Sequence, residues 1–253
     1  MSALILVATP LGNLGDISSR ALESLRNADV IACEDTRHTL KLLSHFGIQK
    51  PLISYHEFNE TGKSHEIVGM IESGKNVALV SDAGTPAISD PGYRVVRLCR
   101  ERGLEVISIP GPNAAITALS ASGLPSDQFL FVGFLPPRQS ARKDYLATLR
   151  SFAGTLIFYE APHRVVSTID DIREVLGDRE ACICRELTKI HEEYQFGKLS
   201  EIRERIKEIG EFVLVVGGSR GEENAAQEKW TRERVLKTLG ISRNELYELF
   251  FKK

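Results

Sequence analysis

Ser81-Asp-Ala-Gly-Thr-Pro-Ala-Ile-Ser-Asp-Pro-Gly92 decides how the chain is read, because a buried strand runs into it and a helix start follows it. Upstream, Asn76-Val-Ala-Leu-Val80 is a short apolar run of the kind found inside a parallel sheet. Downstream, Asp90 is placed to cap a helix and Pro91 suits its first position. Between the two, Asp82 stands at the carboxyl end of the strand, followed by Ala83, Gly84, Thr85 and Pro86, residues small or bent enough to let a ligand approach the backbone. In open α/β sheets that edge carries the ligand site. An ordinary strand-to-helix turn uses Gly and Pro in the same way, so the neighbouring loops carry the decision.

Working toward the amino terminus, residues 4–8 and 29–33 read as strands. The first is followed by Thr9-Pro-Leu-Gly-Asn-Leu-Gly-Asp16, which has turn glycines but no G-x-G-x-x-G, so a dinucleotide-binding oxidoreductase is disfavoured. The second ends in Glu34-Asp-Thr-Arg-His-Thr39, a polar cluster opening a helix. Asp35 or Thr36 can cap that helix and Arg37 can pair with Glu34 or Asp35. The functional alternative is that Arg37 and His38 face the same crevice as Asp82. Residues 52–55 form a weaker strand, and His56 after it reads as solvated.

Toward the carboxyl terminus, residues 104–109 form a fifth strand ending in Pro110-Gly-Pro-Asn-Ala-Ala115, compact enough for a ligand to lie against the next helix. Five strands alternating with helices predict a mostly parallel sheet with several loops on one edge. The punctuation at Ser122-Gly-Leu-Pro-Ser-Asp127 marks a boundary. A second α/β unit of mixed direction follows, with strands at 129–134, 155–159, 181–185 and 212–216 and a hairpin-like stretch near Tyr194. The expected division is an N-terminal α/β domain at 1–121, a C-terminal α/β domain at 122–218, and a linker with a helical tail at 219–253 containing Trp230, Val235, Leu236 and Leu239.

The 253 residues, 42% hydrophobic and 26% charged, describe an ordinary globular chain with no run long enough to span a membrane. The amino terminus lacks a basic leader and enters a strand directly, so a cytoplasmic protein is expected. Cys33, Cys99, Cys182 and Cys184 lack metal-ligand spacing and read as buried thiols; no metal is expected. A net charge of -2 gives no global attraction to nucleic acid, so RNA contact would need local patches. Two predicted helices carry such patches: Arg94, Arg97, Arg100 and Arg102 on one, Arg138, Arg142, Lys143 and Arg150 on the other. Solvated helix faces look the same, and charge alone favours that explanation.

Eight segments in order resemble the ribosomal RNA small subunit methyltransferase I group of the tetrapyrrole methylase superfamily. They are the loops at 9–16, 34–39, 81–86, 90–92 and 110–115, together with Gly133-Phe-Leu-Pro136, Phe158-Tyr-Glu-Ala-Pro-His-Arg164 and Arg185-Glu-Leu-Thr-Lys189. The resemblance covers residues 4–218. It implies a two-domain tetrapyrrole methylase-like α/β fold, S-adenosyl-L-methionine folded into the cleft between domains, and a homodimer. It also implies 2'-O-methylation of a cytidine in the decoding region of 16S ribosomal RNA, free or within the assembled small subunit. Cofactor contacts carried over by position are Leu11, Gly12, Val80, Ser81, Asp82, Gly84, Thr85, Asn113, Ala114, Tyr159, Glu160, Arg185 and Leu187. Candidate RNA contacts are Arg37, His38, Arg138, Arg142 and Lys143. Tetrapyrrole-specific relatives carry a glycine-richer first loop and Gly-Asp-Pro near the position of Asp82. Thr9-Pro10 and Ser81-Asp-Ala-Gly here match the RNA-modifying branch and weaken the alternative of a small-molecule corrinoid methyltransferase.

Methyl transfer to a hydroxyl is an in-line displacement that gains from positioning and from a group that accepts the proton. By type, Glu34, Asp35, His38, Asp82, Glu160, Glu186 and Lys189 all qualify, with no order among them. A catalytically silent RNA-binding module remains a third class, which would retain RNA without binding cofactor.

Overall fold

The computed structural model describes residues 2–219. The helical tail read around Trp230 and beyond lies outside the described residues. Two five-stranded sheets stand side by side in sequence order. The first contains β1 (Ala3–Val7), β2 (Val30–Cys33), β3 (Leu52–Ser54), β4 (Val77–Val80) and β5 (Glu105–Ile109), ordered β3-β2-β4-β1-β5. Every pairing in it is parallel.

All four residues of β2 and all four of β4 are buried. Such strands are unbroken apolar runs because helices cover both faces. Val77 and Leu79 face α3 (Glu60–Glu72) and α4 (Tyr93–Glu101) through Ile67, Ile71 and Val95. Ala78 and Val80 face α1 (Ser19–Asn27) and α2 (Thr36–His45) through Leu25 and Leu43. The alternation of side chains along a strand thus places consecutive residues of β4 in two different cores.

The second sheet has the order β6-β7-β10-β8-β9, from β6 (Phe129–Phe134), β7 (Thr155–Glu160), β8 (Glu180–Arg185), β9 (Glu193–Lys198) and β10 (Phe212–Val216). β6 and β7 are parallel and the other three pairings antiparallel, the mixed sheet that the sequence predicts. One face packs on α6 (Gln139–Thr148), α7 (Val165–Leu176) and α8 (Leu199–Arg203), with Leu146, Ile169, Ile172 and Ile202 meeting Phe158 and Leu214. The other face is covered by α5 (Ala114–Ala121), whose Ala115, Ala118 and Leu119 meet Ile157, Val213 and Val215. Sequence order assigns α5 to the first unit; its packing is on the second sheet. Cys182 and Cys184 share that face, buried, with their sulfurs 3.9 Å apart.

Two local expectations change. Asp90 does not cap a helix: α4 begins at Tyr93 after Gly92, whose φ of 149° suits glycine. The cap comes from Glu60 on α3, whose Oε1 accepts from the Gly92 backbone N at 3.0 Å and the Arg94 N at 3.4 Å. Arg142 is no surface contact for RNA. It is 4% exposed and holds Asp171 of α7 through Nε at 2.7 Å and Nη2 at 2.6 Å. Burial of Leu146 on the same helix turns Arg142 inward, one turn away.

Candidate active site

The loops at the carboxyl ends of the first sheet are tied to one another by hydrogen bonds. Thr9 and Gly84 exchange backbone hydrogen bonds of 2.9 and 3.0 Å, joining the loops after β1 and β4. Thr9 Oγ1 donates to the Ser81 carbonyl at 3.0 Å, and Ser81 Oγ donates to the Gly84 carbonyl at 3.2 Å. Thr85 Oγ1 donates to the Pro112 carbonyl at 2.9 Å, adding the loop after β5. The Asp35 backbone N donates to Asp82 Oδ1 at 3.2 Å, adding the loop after β2. Asp35 itself caps α2, accepting from Arg37 N and His38 N at 2.7 and 3.4 Å, and this holds its carboxyl below the usual range.

Between this edge and the second sheet lies a cavity of about 360 Å³, a size suited to a small cofactor. Leu11 and residues 83–85 and 88–90 form one wall, Asn113 and Ala114 at the start of α5 the floor, and Phe134, Tyr159–Pro162, Leu187 and Glu211–Val213 the opposite wall. Gly84 has φ +83°, and a Cβ there would stand 3.2 Å from Leu11 Cδ2, so the backbone comes close to the cavity where a side chain would intrude. Tyr159 spans the gap: its hydroxyl accepts from Ala115 N at 3.2 Å while its ring meets Phe131 and Phe134 edge-on. Burial pushes the Tyr159 phenol up. At the end of the cleft Gly12 packs against the stem of Lys189, whose ammonium pairs with Glu186 and Glu211 at 3.0 and 2.9 Å.

The stretch after Thr85 is strained. Ala87 and Ser89 have φ of 67° and 59°, left-handed values uncommon for residues other than glycine. They turn Asp90 into the cavity wall. Burial pushes its carboxyl up to about 6, with Glu34 adding to the effect, the Ser81 hydroxyl opposing it and Asp82 adding a little more. Glu34 is itself raised, by burial first and then by Asp82.

The model for Tetrapyrrole (Corrin/Porphyrin) Methylases matches residues 3–203. The ribosomal RNA small subunit methyltransferase I of Vibrio cholerae is 49% identical over 249 residues, covering 96% of this chain and 85% of that one. Its counterpart from Halalkalibacterium halodurans is 50% identical over 230 residues, covering 90% and 79%. This chain belongs to the tetrapyrrole methylase family. Solved structures share the fold. A diphthine synthase superposes with a TM-score of 0.65 at 16% identity, covering 90% of this chain and 95% of that one. A uroporphyrin-III C-methyltransferase from Thermus thermophilus, complexed with S-adenyl homocysteine, gives 0.58 at 19% identity, covering 86% and 97%.

In this member of the family, the residues carried over from the sequence divide by position. Leu11, Gly84, Thr85, Asn113, Ala114, Tyr159, Glu160 and Leu187 line the cavity. Val80 and Ser81 are buried, Gly12 packs against the Lys189 stem, and Asp82 fastens the loop after β2 to that after β4. Arg185 is committed to Glu193, through Nε at 3.0 Å and Nη2 at 2.9 Å. Glu160 lines the cavity with its carboxylate already engaged, accepting from Thr168 Oγ1 at 2.6 Å and Arg164 Nη2 at 3.3 Å. Sequence reasoning missed Asp90, read as a cap, and Phe134, although Phe134 stands within the quoted segment 133–136.

Proposed function

We propose that this protein transfers a methyl group from S-adenosyl-L-methionine to small-subunit ribosomal RNA, at the ribose 2'-hydroxyl of a cytidine in the decoding region. The observation that carries this reading is the set of relatives near half identity over most of the chain, all named ribosomal RNA small subunit methyltransferase I. When bound, the cofactor supplies a methyl carbon on a positively charged sulfur. The cavity suits it in size and in make-up: apolar walls at Leu11, Leu187 and Val213, close backbone at Gly84, and a polar side chain at Asn113.

The chain's own contribution is to position and to exclude water. Leu11 and Gly84 narrow one side, and the Tyr159 and Phe134 rings narrow the other. The Thr9–Gly84, Thr85–Pro112 and Asp35–Asp82 hydrogen bonds keep four loops in register, which favours a fixed approach of the hydroxyl oxygen. For RNA, Arg37 and His38 are exposed at the start of α2, on the edge that holds Asp82, and Arg138 is exposed before α6. Lys143 is paired with Glu174 at 2.7 Å and is the weaker candidate. Homodimerisation belongs to the same reading and rests on the resemblance.

The test is to incubate the protein with labelled S-adenosylmethionine and either free 16S RNA or small subunits lacking the modification, then digest to nucleosides. Label in 2'-O-methylcytidine is the expected result. Label on a base overturns the acceptor, and transfer only to a corrinoid or porphyrinoid moves the chain to the small-molecule branch.

A further inference from the structure

We infer that Asp90 is the base that takes the proton from the attacking hydroxyl, an inference that rests on the methyl-transfer reading above. Three carboxylates belong to residues lining the cavity: Asp90, Glu160 and Glu211. Glu160 is saturated by Thr168, Arg164 and the Ala161 backbone N. Glu211 is paired with Lys189. Asp90 differs from both, since among the described residues no cation acts on it.

The local backbone is built to keep it that way. In a Ser-Asp-Pro-Gly sequence the aspartate is the natural helix cap, yet Glu60 takes the cap from 32 residues upstream of Gly92, and Asp90 lines the cavity with Ser81 beside it. Glu60 is in turn held by the Tyr55 hydroxyl at 3.0 Å and by Arg94 Nε at 3.1 Å. The left-handed Ala87 and Ser89 direct the turn, and Gly133 lets the end of β6 approach it: a Cβ there would stand 3.2 Å from Ser89 Oγ. Strain concentrated beside a cavity, with a remote residue supplying the discarded cap, marks a position kept for chemistry.

The step balances without another reactant. The hydroxyl O–H bond breaks and its proton goes to an Asp90 oxygen. The oxygen's electron pair forms the bond to the methyl carbon, and the pair of the carbon–sulfur bond stays on sulfur, leaving a neutral thioether. Asp90 returns the proton to solvent after product leaves. The groups facing Asp90 are Glu34 at the end of β2, Ser81 and Asp82 at the end of β4, and Tyr159 at the end of β7. Burial, with Glu34 and Asp82 adding to it against the Ser81 hydroxyl, pushes its carboxyl up to about 6, which makes it a better acceptor than a solvated aspartate while leaving it ionised at neutral pH.

Asp90→Asn, assayed on RNA with cofactor binding followed by calorimetry, tests the assignment. Expected are a loss of turnover of about 10²-fold or more with cofactor affinity retained, and the loss of a rate limb that in the unaltered protein rises through about pH 6. Asp90→Glu should restore part of the turnover and the limb. Full turnover in Asp90→Asn overturns the base, as does loss of cofactor binding in step with turnover. A flat profile for the unaltered protein across that range overturns it even if the variant fails to fold. Cofactor binding by the unaltered protein with no methylation of any RNA overturns the parent reading and this role with it.

Discussion

The turn after β4 and the interface of α6 with α7 both take a carboxylate out of water, and they do so in opposite ways. At α6–α7, Asp171 is 1% exposed and Arg142, Lys143 and Gln139 supply its partners. At the turn, Asp90 is half-buried with Glu34 and Asp82 for company. The first arrangement offsets desolvation with opposite charge and hydrogen bonds; the second leaves the cost standing and turns it into proton affinity. Buried charge therefore has two readings in one molecule, and the partner tells them apart.

The sharpest way to break the contrast is Arg142→Ala, which strands Asp171 without its closest cation. A loss of about 3–5 kcal/mol in unfolding free energy is expected from denaturant titration, with cofactor affinity unchanged in the protein that remains folded. Glu60→Ala is next. Removing the acceptor of Gly92 N, Arg94 N and the Tyr55 hydroxyl should cost about 1–3 kcal/mol, and it should also lower turnover by freeing Asp90 to fold back as a cap.

Asp90→Asn inverts the sign. A carboxyl raised from 3.8 to about 6 in the folded state binds its proton more tightly there than when unfolded. Stability is consequently lost as pH rises between those two values. The asparagine variant escapes that loss, so it should be more stable at pH 7 by about 1–2 kcal/mol after discounting for partial exposure, with the gain vanishing below about pH 4. Thermal melts at the two pH values check it. Lys143→Ala gives the smallest effect. Asp171 keeps Arg142, the bond to Glu174 is exposed, and the unfolding midpoint should not move, while RNA retention on a filter reports whether the side chain contacts RNA.

The same contrast shows what could be read from the amino acids alone. Val30–Cys33 and Val77–Val80 announce central parallel strands because nothing but burial on both faces explains such runs. Asp35 caps α2 as expected, since the donors it serves are two and three residues away. Asp90 is misread because its competitor for the cap lies on another helix. Arg142 is misread because its partner lies 29 residues on, across an interface. Likewise, the sequence puts α5 directly after the first sheet and carries no sign of which sheet it covers. Local chemistry is written locally, whereas the fate of a charge depends on what folding brings beside it.

That position of α5 has a consequence for how the molecule comes apart. The helix begins at the cavity floor, where Asn113 caps it, and its apolar face completes the core of the second sheet. The chain cannot melt its first five strands away and leave an intact second core without keeping this splice in place. In hydrogen exchange, amides of α5 should open with β7 and β10 and not with β1, β4 and β5. A ligand settling on Asn113 and Ala114 would then slow exchange deep in the second sheet, in strands whose interior it never touches.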